Sequence, residues 1–193
     1  MTGAKMIYIR HGETDWNRQG RMQGQQDIAL NALGRRQAAR NGRILPLLLG
    51  GTKWRFIASP LARATDTMNI ALSAAGMADT AFESDDRLKE ISFGRWEGLT
   101  LAEIAQKDAV GGKSRQADKW RYVPPDGESY ADLCARIGGW LADQHRPAVV
   151  VAHGGVLRIL HHLLGGVAAA DAPLLAVPQD RITIFTGGRV IAI

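Results

Sequence analysis

The stretch Met6-Ile-Tyr-Ile-Arg-His-Gly12 decides the fold of this chain. Its first four residues are typical of a short buried strand, and they run directly into Arg10, His11 and Gly12. A histidine between an arginine and a glycine at a strand end is well placed to meet an anion. The arginine offers a planar cation with several donors, and the glycine lets a ligand approach the backbone. The stretch therefore predicts a strand that ends in an anion-binding turn.

The same design occurs a second time, in Val149-Val-Val-Ala-His-Gly154. Ligands of open α/β sheets bind at the carboxyl ends of the strands. If the two strands are neighbours, His11 and His153 converge on one crevice. A third predicted strand, Trp54–Ala58, leads into Ser59-Pro-Leu-Ala-Arg63 and brings a further arginine to the same edge. The three strand ends together predict a cationic pocket.

Strand-like and helix-like segments alternate along the chain, which predicts an α/β fold on a mostly parallel sheet. The predicted strands are Lys5–Ile9, Trp54–Ala58, Ala148–Ala152 and a terminal hairpin of 181–185 and 190–193. The predicted helices are 32–49 after an Asn31 N-cap, 61–75, one opened by the capping box Thr100-Leu-Ala-Glu103, one from Ser129 to about 144, and 156–164. Pro46 is expected to kink or shorten the first helix, and the polar segment Asp108–Asp126 is expected to be an irregular surface excursion. No repeat or linker divides the chain, so residues 1–193 are predicted to form one domain.

The charge pattern argues against a nucleic-acid partner. The net charge is +5, and 18 of the 24 basic residues are arginine, but they are scattered among acidic residues. The sequence has neither an aromatic-rich RNA-binding motif nor zinc-ligand spacing. No apolar stretch reaches the roughly 18 residues that a membrane span needs, so no membrane partner is expected. Cys134 is the single cysteine and cannot form an internal disulfide, which favours the reducing cytoplasm.

The predicted pocket suits one kind of chemistry. Two histidines, two arginines and several backbone N–H groups around one cleft can hold a tetrahedral dianion, and phosphate is the obvious candidate. A neutral histidine nitrogen can then attack phosphorus while the arginines stabilise the charge on the equatorial oxygens. The leaving alkoxide needs a proton, which a carboxylic acid usually supplies.

Four motifs occur in order along nearly the whole chain: Arg10-His-Gly-Glu-Thr14, Ser59-Pro-Leu-Ala-Arg-Ala64, Leu88-Lys-Glu-Ile-Ser-Phe-Gly-Arg-Trp-Glu-Gly98 and Val151-Ala-His-Gly-Gly155. Together they closely resemble the histidine phosphatase superfamily, also called the phosphoglycerate mutase-like family, and within it the phosphatase branch. The resemblance implies a three-layer α/β/α sandwich with a mostly parallel central sheet.

The resemblance also implies a role for each site residue. His11 would be the nucleophile that forms a phosphohistidine, and Glu90 would be the proton donor. The phosphoryl group would be bound by Arg10, Arg63, His153, Asn17 and Gly154. The family needs no metal and no cofactor, so none is expected here.

The sequence and the resemblance together predict a cytoplasmic, metal-independent phosphomonoester hydrolase that acts on a small phosphorylated metabolite. One alternative is a bisphosphoglycerate-dependent phosphoglycerate mutase, which returns the phosphoryl group to a bound acceptor. The mutases usually carry a longer insertion after the Glu90 region than the stretch Asp108–Asp126 provides. A second alternative is a non-catalytic phosphate-binding protein, against which the joint presence of His11 and Glu90 weighs. The sequence leaves the oligomeric state open.

Overall fold

A computed structural model describes residues 5–193 and contains a central sheet of six strands. The strands are β1 (Met6–Arg10), β2 (Arg55–Ala58), β3 (Glu83–Ser84), β4 (Ala148–Ala152), β5 (Ile182–Thr186) and β6 (Arg189–Ala192). Their order across the sheet is β3-β2-β4-β1-β5-β6. The first four run parallel, whereas β5 and β6 form an antiparallel hairpin on the β1 side. The expected mostly parallel sheet is therefore confirmed.

Helices cover both faces of this sheet. They are α1 (Asp15–Arg18), α2 (Ala32–Leu49), α3 (Ala62–Ala74), α4 (Leu101–Lys107), α5 (Ala109–Ala117), α6 (Tyr130–Ala142) and α7 (Gly154–Gly165). Successive strand residues point to opposite faces, so each strand contributes to two cores. On one face Ile7 and Val149 pack with residues of α2 and α3, and on the other Tyr8 and Val150 pack with residues of α6 and α7. The three-layer α/β/α arrangement is confirmed.

The predicted helix caps are present. The Asn31 side chain accepts a hydrogen bond from the Gly34 N–H at 2.9 Å and starts α2. Capping boxes open α4 at Thr100 and α6 at Ser129, where each cap side chain and the side chain three residues later bond to each other's backbone N–H. These local bonds explain why the helix starts could be predicted to within one or two residues.

Of the two effects expected of Pro46, a kinked or a shortened α2, shortening is wrong, because the helix continues to Leu49. The kink stays a prediction. Proline removes one hydrogen bond of the last turn. Leu45 is fully buried beside it, and Leu48 and Leu49 pack on the same cluster, so apolar contact holds the turn in place.

The expectation of an irregular segment from Asp108 to Asp126 is wrong for its first half, which forms α5. The paired glycines Gly111 and Gly112 argued against a helix because glycine lowers helix stability by about 1 kcal/mol relative to alanine. The Asp108 side chain compensates by accepting a hydrogen bond from the Gly111 N–H at 2.9 Å. A side chain at Gly111 would meet the Asp108 carboxylate and the Tyr122 hydroxyl, so it would displace the capping side chain.

Two short elements, α1 and β3, were not predicted, since neither is long enough to show a periodic pattern. None of the helices within residues 5–193 combines the length and the apolar character that crossing a membrane would need.

Candidate active site

The carboxyl ends of three neighbouring strands bring the predicted site residues together. β1 and β4 are adjacent and parallel, with Arg10 opposite Ala152, so His11 and His153 follow at the same edge. Their ring centroids lie 5.1 Å apart. β2 runs parallel on the other side of β4 and places Ser59 and the following arginine at that edge. The convergence expected from the two His-Gly motifs is what the sheet produces.

The backbone fixes the orientation of the His11 ring. Its Nδ1 lies 2.8 Å from the Gly12 carbonyl oxygen. A carbonyl oxygen only accepts hydrogen bonds, so Nδ1 carries the proton and Nε2 keeps its lone pair in the neutral ring. Burial, together with the positive charges of Arg63 and Arg10, lowers the pKa of His11 well below its usual range. The residue is therefore held neutral in the tautomer that a nucleophile needs.

Close backbone packing holds the turn that carries His11. A Cβ atom at Gly12 would collide with the Gly34 carbonyl, and one at Gly34 would collide with the backbone of Glu13. The Gly12 N–H donates to the Thr67 hydroxyl at 3.0 Å. The start of α2 and the middle of α3 thus press directly on the turn after β1.

His153 is completely buried beside His11. Its Nε2 lies 2.7 Å from the Ser59 hydroxyl oxygen, and its carbonyl accepts a hydrogen bond from the Tyr8 hydroxyl at 2.7 Å. Its Nδ1 is buried and has no partner among the described residues. Burial, with Arg63 and the other nearby cations adding repulsion, lowers the pKa of His153 well below its usual range.

Each of the two arginines uses part of its guanidinium to donate hydrogen bonds to backbone carbonyls. Arg63 is fully buried and donates to the carbonyls of Gly24 at 2.7 Å and Gln26 at 2.6 Å. Arg10 donates to the Val177 carbonyl at 2.6 Å. The Nε atom of each guanidinium is buried without a partner in residues 5–193. Burial lowers the pKa of Arg10 to about 10, which still leaves it protonated near neutral pH.

Unpartnered buried polar atoms are uncommon in folded proteins. Four buried side-chain N or O atoms lack a partner in the described part of the chain, and three of them belong to Arg10, Arg63 and His153. Their concentration at one strand edge, with two of them on cations, is the arrangement that a bound tetrahedral anion would complete.

Glu90 sits at the amino end of α7. Its carboxylate accepts hydrogen bonds from the Gly155 N–H at 3.0 and 3.1 Å and from the Ile91 N–H at 3.0 Å. A Cβ atom at Gly155 would collide with the Glu90 carboxylate, so the second glycine of the His-Gly-Gly motif makes room for the acid. The helix end is the positive end of its dipole and suits a carboxylate.

An open cavity of about 190 Å³ is lined by most of these groups. Six of the seven predicted site residues line it: Arg10, His11, Asn17, Arg63, Glu90 and Gly154. His153 does not line the cavity and lies behind it, against the His11 ring and Ser59. No group of three or more metal-binding side chains occurs within the described residues.

The structure adds lining residues that sequence reasoning missed, among them Arg158, Tyr130, Phe93 and Gln23. Arg158 lies four residues after Gly154 on α7 and therefore on the same helix face, which the spacing could have indicated. Tyr130 and Gln23 had no comparable pattern, because they reach the cavity through the packing of α6 and of the loop after α1.

Comparison with known proteins agrees with this geometry. The model of the histidine phosphatase superfamily (branch 1) matches residues 6–189. A glucosyl-3-phosphoglycerate phosphatase of Mycobacterium tuberculosis is 34% identical over 192 residues, which cover 91% of this chain and 81% of that protein. A 2,3-bisphosphoglycerate-dependent phosphoglycerate mutase of Methylocella silvestris is 32% identical over 179 residues, 87% of this chain and 84% of that one. The crystal structure of the alpha-ribazole phosphatase from Shigella flexneri superimposes with a TM-score of 0.83 at 26% identity, covering 96% of this chain and 93% of that one.

This chain belongs to the histidine phosphatase superfamily, as its four ordered motifs predicted. It is a phosphomonoesterase-type enzyme with the phosphoglycerate mutase-like fold, which confirms the expected class of activity.

We expect the His11 imidazole of the ligand-free enzyme to be neutral at about pH 6, with its proton on Nδ1. Burial and the two nearby guanidiniums lower its pKa below the ordinary value of about 6.5, so the ring takes up a second proton only as the pH falls through that lowered pKa. Nitrogen chemical shifts of histidine-labelled protein measure both the charge and the tautomer. The His11→Ala spectrum assigns the resonance, and a ring half protonated at pH 6.5 or above would contradict the expectation.

Proposed function

We propose that residues 1–193 act as one histidine phosphatase domain that hydrolyses a small phosphorylated metabolite through a phosphohistidine on His11. The observation that carries this proposal is the His11 ring itself. Its Nδ1 is tied to the Gly12 carbonyl, which leaves Nε2 as the free nucleophilic atom. The unpartnered nitrogens of Arg10, Arg63 and His153 are grouped at the same strand edge.

In the first step Nε2 of His11 attacks phosphorus and the bond to the leaving oxygen breaks. Arg10 and Arg63 stabilise the charge on the three equatorial oxygens. Glu90, in its acid form, gives its proton to the departing alkoxide and becomes a carboxylate. Glu90 and His11 both line the cavity, which supports this division of roles.

In the second step a water molecule attacks the phosphohistidine. The Glu90 carboxylate takes a proton from this water, and the bond from phosphorus to Nε2 breaks to release orthophosphate. His11 returns to its neutral form with its Nδ1 proton unchanged. Glu90 is again an acid, so the cycle closes without any further reagent.

The mutase alternative differs only in the acceptor of the second step, which would be a bound phosphoglycerate instead of water. The stretch Asp108–Asp126, where the mutases usually carry a longer insertion, consists of α5 and a short irregular tail. That compact stretch supports water as the acceptor. The reducing cytoplasm remains our proposal for the compartment, based on Cys134 as the single cysteine.

We expect His11→Ala to reduce turnover by about 10⁴-fold or more, because no other group can form the covalent intermediate. Orthovanadate, a phosphate mimic, should still bind with reduced affinity, since Arg10 and Arg63 remain. Phosphate release from phosphomonoesters and vanadate binding by calorimetry measure the two effects. His145→Ala, an exposed histidine outside the cavity, serves as the control.

Full residual activity of His11→Ala would overturn the mechanism. The wild-type enzyme is assayed in parallel for interconversion of 3- and 2-phosphoglycerate. If the rate of interconversion exceeded the rate of phosphate release, the enzyme would be a mutase and not a hydrolase.

We expect Glu90→Gln to lower kcat/KM for alkyl phosphates by about 10²- to 10⁴-fold, because the alkoxide then leaves without a proton. The loss should be much smaller for p-nitrophenyl phosphate, whose phenolate leaves unaided. Because kcat/KM reports the first irreversible step, the comparison isolates the role of Glu90 as an acid. Glu83→Gln, an exposed glutamate on β3, is the control. Equal losses on both substrates would show that Glu90 is not the proton donor.

The surroundings of the cavity favour a substrate with a second anionic group. Arg158 lines the cavity and its guanidinium lies 3.4 Å from the Tyr130 hydroxyl. The Arg115 guanidinium lies 5.8 Å from the ring centroid of Phe93, which also lines the cavity. Lys119 is part of the same positive region: burial lowers its pKa, and Arg115 and Arg158 lower it further.

None of these three cations forms an ion pair with a carboxylate among residues 5–193, whereas eight other arginines do. Burial, with repulsion from Arg158, lowers the pKa of Arg115. Like charges held together in this way are stabilised by an anion. A phosphorylated sugar acid or phosphoglycerate ester, which carries a carboxylate besides its phosphoryl group, fits this requirement and matches the name of the mycobacterial relative.

We expect Arg115→Met to raise KM by about 10-fold for phosphomonoesters that carry a carboxylate and by less than about 2-fold for those that do not. Methionine keeps the length of the side chain and removes its charge. A panel of phosphorylated metabolites with and without a carboxylate provides the measurement. Arg121→Met removes the same charge from an exposed position of the same segment and should affect neither group. An equal effect of Arg115→Met on both groups would argue against the second anion site.

A further inference from the structure

Gln179 contacts the site from the loop that precedes β5. It lies outside the four motifs and has no role in the mechanism given above. Its side-chain Nε2 donates to the His11 carbonyl at 3.2 Å and to the Asn17 Oδ1 atom at 2.9 Å. These contacts join the last part of the chain to two residues that follow β1.

The contact with Asn17 helps to set which way the asparagine amide faces. The Oδ1 atom of Asn17 accepts from Gln179 at 2.9 Å and from the Thr14 N–H at 3.2 Å, and the Thr14 hydroxyl lies 3.2 Å from it. The bond from Gln179 is the shortest of the three, and all of them hold the oxygen side of the amide. The Asn17 Nδ2 atom makes no hydrogen bond within the described residues, and Asn17 lines the cavity. The amide therefore presents its donor group to a ligand.

The loop that carries Gln179 is itself fixed. The Val177 carbonyl accepts the hydrogen bond of Arg10 at 2.6 Å, and the Gln179 carbonyl accepts one from the buried Asn41 at 3.4 Å. Gln179 is half-buried between these anchors. The backbone that carries the Gln179 side chain is thus held by Arg10 and Asn41, so this side chain can hold another in place.

We infer that Gln179 is a positioning residue for phosphate recognition: it fixes the amide of Asn17 so that Nδ2 donates to the bound phosphoryl group. The inference rests on the proposed function only in taking phosphate as the ligand. Without Gln179, the Asn17 oxygen keeps only its contacts with Thr14, so the amide is held less firmly and its Nδ2 atom is directed at the anion for less of the time. The contribution belongs to binding, because the same hydrogen bond exists in the ground state and the transition state.

A double-mutant cycle tests whether Gln179 acts through Asn17. Gln179→Met keeps the length of the side chain and removes its donor. In the wild-type background it should weaken orthophosphate and orthovanadate binding by about 5- to 20-fold and raise KM by a similar factor, with kcat changed less than about 2-fold. In an Asn17→Ala background the same change should weaken binding by less than about 2-fold. Gln144→Met, outside the cavity, is the matched control.

Gln179→Glu gives a second, nearly isosteric variant in case the methionine disturbs the loop. It replaces the donor with a carboxylate that repels both the Asn17 oxygen and a nearby anion, so it should weaken anion binding more than Gln179→Met in the wild-type background. Thermal unfolding without ligand confirms that each variant is folded.

Equal losses of anion affinity in the wild-type and Asn17→Ala backgrounds, or no loss in the wild type, would overturn the inference. Anion binding is measured by calorimetry and does not need turnover. An enzyme that fails to hydrolyse phosphomonoesters would thus refute the proposed function while the cycle still decides the role of Gln179.

Discussion

The hydrogen bond between His11 Nδ1 and the Gly12 carbonyl is the interaction on which the site depends. It fixes the tautomer of a buried ring and leaves one nitrogen free for chemistry. The bond exists only because the turn after β1 is compact, and the turn is compact because Gly12 and Gly34 allow two backbones to touch. The position of α2 and the reactivity of His11 therefore depend on the same close contact between Gly12 and Gly34. A side chain at either glycine would separate the elements and change the ring.

The concentration of positive charge at the carboxyl ends of β1, β2 and β4 destabilises the folded state. Arg63 is fully buried and Arg10 is partly buried, and the repulsion between cations adds to the loss of hydration. The carbonyls of Gly24, Gln26 and Val177 satisfy part of each guanidinium. The Nε atoms of both guanidiniums are buried without a partner in residues 5–193. On the proposed function, a bound phosphoryl group supplies acceptors at this edge and offsets part of this cost.

The sequence predicted the parts of this arrangement that depend on strand ends and short motifs. His11, His153 and Arg63 each follow a buried strand, and parallel pairing brings such ends together regardless of their separation along the chain. The capped helix starts at Asn31, Thr100 and Ser129 were predictable because their hydrogen bonds are local. Helix α5 was not predicted because Gly111 and Gly112 suggested a loop. The Asp108 side chain caps this helix, and a single aspartate was too weak a signal to outweigh two glycines.

Contacts that form only through tertiary packing could not be predicted in the same way. The placement of His153 behind the cavity, beside Ser59, follows from the register of β2 against β4, which no motif specifies. Gln179 reaches Asn17 across more than 160 residues of chain, and no local pattern distinguishes it from other polar loop residues. Cavity walls such as Tyr130 likewise depend on how α6 packs against α7.

In the proposed mechanism, the start of α7 serves both phosphoryl recognition and proton transfer. His153 is the N-cap of this helix, Gly154 lines the cavity, and the Gly155 N–H donates to the Glu90 carboxylate. One turn later the same helix carries Arg158, which we propose as part of a second anion site. Because Gly154, Gly155 and Arg158 lie on one helix, the helix itself sets the separation between this end of the proposed phosphoryl pocket and Arg158. On the proposed function, this spacing selects substrates by the distance between the phosphoryl group and the next anionic group, while the leaving oxygen stays within reach of Glu90.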